Sequence, residues 1–544
     1  MKPCLIALYL FICPFLFSQQ TPDKPQILIS LNGSYNQNHL LEILNLKFYK
    51  AEPLNKEKTL YGLYYNNTFE NNEKALEFVS KLKQVLIAQY NFPIEMRSTI
   101  ANDPRRGSQW HLDKINAPKT WDLSRGGVTR NGDSIVIAVI DEGIHTNHPD
   151  FKNNIWKNHA EVANNLIDDD GNGFVDDVYG WNFMGRNNDV SDSNNYAAGH
   201  STPIAGIIGA KGNDNVGICG INWNVKMMFV NIADSGNFPN PYVSDIIRAY
   251  SYVLTQRTLY NNSNGEQGAY VVATNSSWGI DKKFANQAPL WCAMYDSMGR
   301  QGIISIGSTS NNDTYIDMIG DLPSLCPSEH LIVVNSTNSI DGHFSSGKSA
   351  INIDIAAPGA SIYSTRAYTK INIQNGLYSN SFSGTSFATP MVTGSVGLLY
   401  SYACAKLLDT FKINPAKGNS LIRRFLIEGA DILPDFGDKN ASSGRLNVFK
   451  SMQLMNQYCE GTLSNDIINI YPNIKLFPNP SQGTFELITE SEIKTIDIHN
   501  SIGQKAEFIF IDNQIELTQN QSGIYFITIQ YLDGYKETLK LIVN

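Results

Sequence analysis

The chain has 544 residues, 42% of them apolar and 17% charged, and a formal net charge of −9. That length exceeds one ordinary hydrophobic core and predicts several folded domains. The acidic balance, without any basic run, argues against nucleic acid and anionic membranes as partners.

Lys2 precedes an apolar stretch, Leu5 to Phe17, which ends at Ser18-Gln19-Gln20. A charged start, a short hydrophobic core and a small residue before polar sequence read as a secretion signal over residues 1–18. Bulky Ile12 before Cys13 argues against a lipoprotein anchor. No later segment reads as a transmembrane span. Beyond the signal lie Cys219, Cys292, Cys326, Cys404 and Cys459. An odd number leaves at least one thiol outside an intramolecular bridge. Cys292 and Cys326 flank a predicted strand and its loop, so they are the candidate pair; the alternative is two small buried apolar side chains.

Residues 19–103 read as a small α+β segment. Ile27–Leu31 alternates like a strand, and Glu73–Gln89 carries apolar residues at helical spacing. Glu95–Arg97 is a candidate second strand. A polar stretch, Ser98 to Gly107, then separates this segment from the main domain and offers a processing site.

Residues 104–459 read as α/β. Ser134–Ile140, Val225–Val230, Tyr270–Asn275, Gly302–Ile306 and Leu331–Val334 are short runs rich in β-branched residues. Helical patterns lie between them at Ser201–Ala210, Ser244–Thr258 and Asn286–Met298. Apolar strands alternating with helices predict a doubly wound, mostly parallel sheet covered on both faces. Functional groups in such folds collect beyond the carboxyl ends of the strands. After a linker over 460–474, residues 475–544 show short alternating strands separated by turns, the pattern of a small β-sandwich.

Three motifs carry chemistry. Ser386, in Ser383-Gly384-Thr385-Ser386-Phe387-Ala388-Thr389-Pro390, stands where a long apolar helix begins. Free backbone N–H groups and the helix dipole favour negative charge there, as an acyl-transfer oxyanion requires. Alone, the serine reads first as a helix cap, and only the rest of the chain favours a nucleophile. Asp141 ends the first strand in Val139-Ile140-Asp141-Glu142-Gly143. His200 opens a small-residue helix in Gly199-His200-Ser201-Thr202-Pro203-Ile204-Ala205-Gly206.

Together these motifs resemble those of the subtilisin-like serine proteases, in that family's chain order of Asp, His, Ser. The resemblance runs from about residue 109 to residue 452. It implies a subtilisin-like fold and polypeptide substrates. It also implies Ser386 as nucleophile, His200 as base and Asp141 as the group that orients His200. Asn311, ending the strand-like Ile304–Asn311, is the implied oxyanion donor, with Asn312 beside it. Ser277, Trp278 and Gly279 resemble the edge on which these enzymes lay an extended substrate. Residues 19–103 would be a propeptide, or else a permanent accessory domain. Ser201, Glu142 and Ser310 depart from the family pattern, which has Gly, Ser or Thr, and Gly there.

An independent signal lies between Asp141 and His200. Asp168-Asp169-Asp170-Gly171-Asn172-Gly173-Phe174-Val175-Asp176-Asp177 fits the first part of a calcium loop. Its ligands would be the side chains of Asp168, Asp170 and Asn172, the Phe174 carbonyl, and Asp176 or Asp177. Calcium would hold the loop in place and take no part in chemistry, the alternative being a solvated acidic loop; no organic cofactor is expected. The C-terminal segment, with Leu476-Phe477-Pro478-Asn479-Pro480, Ile502-Gly503, Gly523-Ile524-Tyr525 and Lys540-Leu541-Ile542-Val543, resembles the sorting domain of the type IX secretion system of Bacteroidetes. That implies export to the cell surface or medium, with the outer-membrane secretion machinery as partner. Two other readings remain at this stage. One is a catalytically silent fold of the same family; the other is an adhesion or glycan-binding protein acting through its β-rich tail.

Overall fold

The computed structural model describes residues 25–66, 68–92, 99–191, 199–233, 241–367 and 376–462, and 475–543 apart from 478, 489–492, 502–503, 512, 520 and 532–535. The predicted signal, the strand Glu95–Arg97 and most of the linker lie outside the described residues. The chain divides into two compact units, Met1–Arg97 and Ser98–Asn544.

The first unit is α+β. Four antiparallel strands lie in the order Lys50–Pro53, Leu60–Tyr64, Ile27–Leu31, Val85–Tyr90. Ile27, Ile29, Leu63, Ala75 and Val79 share one core with two helices, Gln37–Ile43 and Asn72–Ser80. The expected helix Glu73–Gln89 is thus two elements. Asn71 starts the helix by accepting the Lys74 N–H at 2.9 Å, and its buried face ends at Val79. Val85-Leu86-Ile87-Ala88 instead satisfies its backbone against Ile27–Leu31. Apolar residues there fit both periods, and strand pairing decides.

The second unit is built on a nine-stranded sheet. Its strands in chain order are β1 (Val136–Glu142), β2 (Gly180–Asn182), β3 (Lys226–Ala233), β4 (Val271–Ser276), β5 (Ile304–Ser308), β6 (Leu331–Thr337), β7 (Ile355–Pro358), β8 (Asp431–Ile432) and β9 (Gly444–Arg445). Across the sheet the order is β8-β9-β7-β6-β5-β4-β1-β3-β2. All pairs are parallel except β8 with β9.

The two-residue period of a strand splits β1 between two cores. Ile137 and Val139 pack with Ile204, Ile208, Met391 and Val396. Val136, Ala138 and Ile140 pack with Ile246, Val253, Trp291 and Tyr295. One face is therefore covered by α1 (Ser201–Gly209) and α4 (Thr385–Tyr402), the other by α2 (Val243–Ser263) and α3 (Pro289–Arg300). No single helix among the described residues is long and apolar enough to cross a membrane. The apolar run after Ser386 is buried core: α4 ends at Tyr402, and a second helix, Ala405–Ile413, leaves at 111°.

Cys292 bonds to Cys326 and Cys404 to Cys459, leaving Cys219 as a buried thiol. The first pair is the one expected. Nothing local in sequence links the second, whose partners lie 55 residues apart. In the C-terminal region a four-stranded and a three-stranded antiparallel sheet share one core containing Phe485, Leu487, Ile515, Ile527 and Leu541. That is the sandwich the alternating strands predict.

Ile332 in β6 is fully buried and Ile351 is 80% exposed. Ile332→Ala is expected to destabilise by about 2–5 kcal/mol, and Ile351→Ala by no more than about 0.5 kcal/mol. Denaturant unfolding followed by tryptophan fluorescence checks both.

Candidate active site

Asp141 lies at the carboxyl end of β1 and is buried. Its Oδ1 lies 2.9 Å from His200 Nδ1 and also accepts the Glu142 N–H at 2.9 Å. Its Oδ2 is buried without a hydrogen-bond partner among the described residues. His200 immediately precedes α1, whose residues are all buried. That close approach needs Gly206, where a Cβ would stand 2.2 Å from Thr365 Oγ1. The His200 N–H donates to Glu142 Oε1 at 2.6 Å. The His200 side chain is 36% exposed. Burial opposes charge on its ring, but Asp141 and then Glu142 outweigh that cost and raise the imidazole to about 9.

Ser386 stands in the first turn of α4. Gly384 before it has φ +134°, and a Cβ there would stand 2.9 Å from Asn311 Oδ1. Only glycine meets both conditions without strain. The Ser386 hydroxyl donates to the Ser277 carbonyl at 3.0 Å, and the Ser277 hydroxyl donates to the Ser386 carbonyl at 2.9 Å. No hydrogen bond joins Ser386 to His200 among the described residues. The His200 ring nonetheless lies 5.8 Å from that of Phe387, so the imidazole borders the same helix start.

Asn311 Oδ1 accepts from the Thr385 N–H at 2.9 Å and the Thr385 hydroxyl at 3.1 Å. Its amide nitrogen has no partner among the described residues, and Asn311 lines the same cleft as Ser386. Asn312 is committed elsewhere, its amide donating to Asp281 Oδ2 at 2.8 Å. The cleft holds about 610 Å³ and is bordered by Ser277, Trp278 and Gly279 as well. Trp278 is anchored by its indole N–H on the Ile140 carbonyl at 2.7 Å. A Cβ on Gly279 would stand 2.3 Å from the Leu322 carbonyl oxygen. The backbone N–H groups of Trp278 and Gly279 have no backbone partner among the described residues.

Each residue that departs from the expected motifs has a defined contact. The Ser201 hydroxyl donates to the Gly143 carbonyl at 2.5 Å. Glu142 receives the His200 N–H. The Ser310 hydroxyl accepts from the Asn312 N–H at 3.1 Å and from the Asn312 side-chain amide at 3.0 Å.

In the acidic loop, carboxylate oxygens of Glu161, Asp168 and Asp170 lie within 4.8 Å of one another. Three like charges that close favour a bound cation. Asp176 lies outside this cluster, and its carboxylate accepts the N–H groups of Asn165 and Leu166. Asn172 Oδ1 accepts the Phe174 N–H at 2.8 Å, and its amide donates to Asp170 and Asp177. Asp177 is buried against Tyr252 and Gln256. Sequence spacing missed Glu161, which precedes the loop, and Asp321, which follows Asn311 by ten positions; neither sits in a recognisable motif.

A parallel α/β sheet with an Asp–His pair and a serine-bearing helix at its carboxyl edge defines the class, one that gathers polar chemistry where the strands end. Within it, the sequence profile of the Subtilase family matches residues 132–447, more than half of the chain. The chain belongs to the subtilase family. A second profile, Secretion system C-terminal sorting domain, matches residues 475–544 and marks the chain for secretion or cell-surface attachment. Subtilisin-like protease 1 of Plasmodium berghei (strain Anka) is 28% identical over 324 residues, 56% of this chain and 48% of that protein. Thermitase of Thermoactinomyces vulgaris is 27% identical over 353 residues, 65% of this chain and 99% of thermitase. The Extracellular protease of Xanthomonas campestris pv. campestris is 28% identical over 312 residues, 56% of this chain and 50% of that protein. The chain thus spans about half the length of the Plasmodium and Xanthomonas relatives.

The His200 ring is expected to titrate near 9 rather than near 6.5, and Glu142→Gln should lower that midpoint. Because the folded value is raised, the pair's contribution to stability is complete below about pH 6.5 and lost as pH rises through about 9. Histidine NMR titration of the wild type and Glu142→Gln checks the shift and its source.

Proposed function

We propose that this subtilase is a secreted serine endopeptidase that cleaves polypeptides through Ser386, His200 and Asp141. The observation that carries the reading is the 2.9 Å contact between Asp141 and His200, beside the helix start that presents Ser386. Ser386 Oγ attacks the scissile carbonyl after its hydroxyl leaves the Ser277 carbonyl and turns to His200 Nε2. With its imidazole raised to about 9, His200 acts as base in its neutral form, in the alkaline range: there it takes the hydroxyl proton and returns it to the leaving amine. Asp141 keeps the Nδ1 proton in place and stabilises the imidazolium. The oxyanion is met by Asn311 Nδ2 and the Ser386 N–H, a first-turn amide without a helical carbonyl to bond. Alternate backbone groups of Ser277, Trp278 and Gly279, whose Trp278 and Gly279 N–H groups have no backbone partner among the described residues, would dock the substrate as an added strand.

Glu161, Asp168 and Asp170 would hold calcium, with Asn172, the Phe174 carbonyl and Asp177 nearby. The ion would neutralise their mutual repulsion and fix the loop, taking no part in bond cleavage. Asp176, whose carboxylate accepts the Asn165 and Leu166 N–H groups, would complete the set from the same loop. The N-terminal α+β unit acts as a propeptide, and the C-terminal sandwich engages the outer-membrane secretion machinery.

The resting contact of Ser386 with Ser277 favours one other reading, a catalytically silent subtilase fold. A serine-directed fluorophosphonate separates the two. Labelling of the wild type and not of Ser386→Ala supports the peptidase. Absence of labelling after removal of the N-terminal unit supports the silent fold. Asn311→Ala is expected to lower kcat roughly a hundred- to a thousandfold with little change in KM, a magnitude known from subtilisin, a member of this family. Steady-state kinetics on a fluorogenic peptide check it. Chelation should lower Tm, and Glu161→Gln or Asp170→Ala should abolish that response; differential scanning calorimetry with and without calcium is the measurement.

A further inference from the structure

The cleft beside Ser386 carries charge that the proposed bond cleavage does not use. It lies between the extensions of two neighbouring parallel strands, Ser277–Asp281 beyond β4 and Ser308–Asn312 beyond β5. Asp321 closes it from a third segment. Asp281 and Asp321 stand directly opposite one another in a short antiparallel ladder, Ile280–Asp281 with Asp321–Leu322. Like charges in that position repel across the strands. No Lys, Arg or His is among the described residues that line the cleft.

Asp321 is 1% exposed. Three donors hold it, and all three meet Oδ2: Thr309 Oγ1 at 2.8 Å, Ser324 Oγ at 2.6 Å and the Ser310 N–H at 3.0 Å. Its Oδ1 has no hydrogen-bond partner among the described residues. Burial pushes the carboxyl up to about 6 against the pull of those donors, and Asp281 adds to the rise. It is therefore ionised at neutral and alkaline pH. A buried carboxylate held firmly by one oxygen, with the other unpaired beside a cavity, is completed by a cation with N–H donors.

The identity of that cation follows from the position of the cleft. It is bounded by Ser386, which meets the scissile carbonyl carbon, and by Asn311, which meets its oxygen. The side chain of the residue supplying that carbonyl is the one delivered into it. Gly279 and Ile280 leave apolar wall for an alkyl stem, and the volume of about 610 Å³ accommodates a long side chain.

We propose that Asp321, supported by Asp281, is the specificity-determining residue of the cleft and selects substrates with lysine or arginine immediately before the scissile bond. This rests on the peptidase reading of the same site. The Ser310 N–H helps to orient Asp321.

The test uses the secreted, processed protein and four fluorogenic peptides that differ only at the residue before the cleaved bond: Lys, Arg, norleucine and Glu. The wild type is expected to show kcat/KM at least about tenfold higher for Lys or Arg than for norleucine, as suits a hydrogen-bonded charge pair, and to reject Glu. Asp321→Asn should reduce the Lys-to-norleucine ratio about tenfold or more, and Asp281→Asn should reduce it less. A wild-type preference for norleucine over both basic residues overturns the proposal, as does an unchanged ratio in Asp321→Asn. Fluorophosphonate labelling is run alongside. A wild type that labels Ser386 but prefers norleucine loses only this inference; one that neither labels nor cleaves any peptide loses the peptidase reading itself. If Asp321→Asn does not fold, the wild-type ratio and the Asp281→Asn ratio decide, and both must move as stated.

Discussion

A sheet buried on both faces has only its strand ends for polar chemistry, and this constraint organises the catalytic unit. β1 shows it most directly. Every side chain from Val136 to Ile140 goes into one of two apolar cores. The first polar position the strand offers is Asp141, at its carboxyl end. The neighbouring strands end at the same edge: β4 runs into Ser276 and Ser277, and β5 into Ser308 and Asn311. Parallel pairing brings these ends together without any of them being close in sequence.

Charge at that edge is costly, and the structure shows how it is contained. Asp141 is paired with His200, whose backbone is in turn held by Glu142. Asp321 takes three hydrogen bonds on one oxygen. The acidic loop gathers Glu161, Asp168 and Asp170, with backbone N–H groups donating to all three. Each carboxylate is oriented by donors and keeps a further requirement for positive charge. Histidine meets it at Asp141; a metal ion would meet it at the loop, and a substrate side chain in the cleft.

Glycine sets the approach distances. Gly384 brings the start of α4 against Asn311, and Gly206 brings α1 against Thr365. A methyl group at either place would push the serine or the histidine away from the edge where Asp141 lies. The packing of two helices is therefore part of the active-site geometry. The Ser201 hydroxyl, bonded to the Gly143 carbonyl, shows how a residue foreign to the usual motif is absorbed at the same junction.

Local patterns determined much of this protein. Strand periodicity, helix starts and three short motifs were legible because each depends on residues a few positions apart. The same holds for the alternating strands of the tail and for Asp168 and Asp170, two positions apart in one loop. Where two local periods overlapped, as at Glu73–Gln89, pairing with Ile27–Leu31 chose the strand. Tertiary structure alone decided the rest, because those contacts join segments with no local relation. Glu161 enters the acidic cluster by chain reversal, whereas Asp176, close in sequence, turns its carboxylate to the Asn165 and Leu166 N–H groups. Asn311 is distinguished from Asn312 by which amide Thr385 and Asp281 leave unpaired. Asp321 reaches the cleft through a two-residue ladder with Asp281, and only in the folded chain does its second oxygen lack a partner among the described residues.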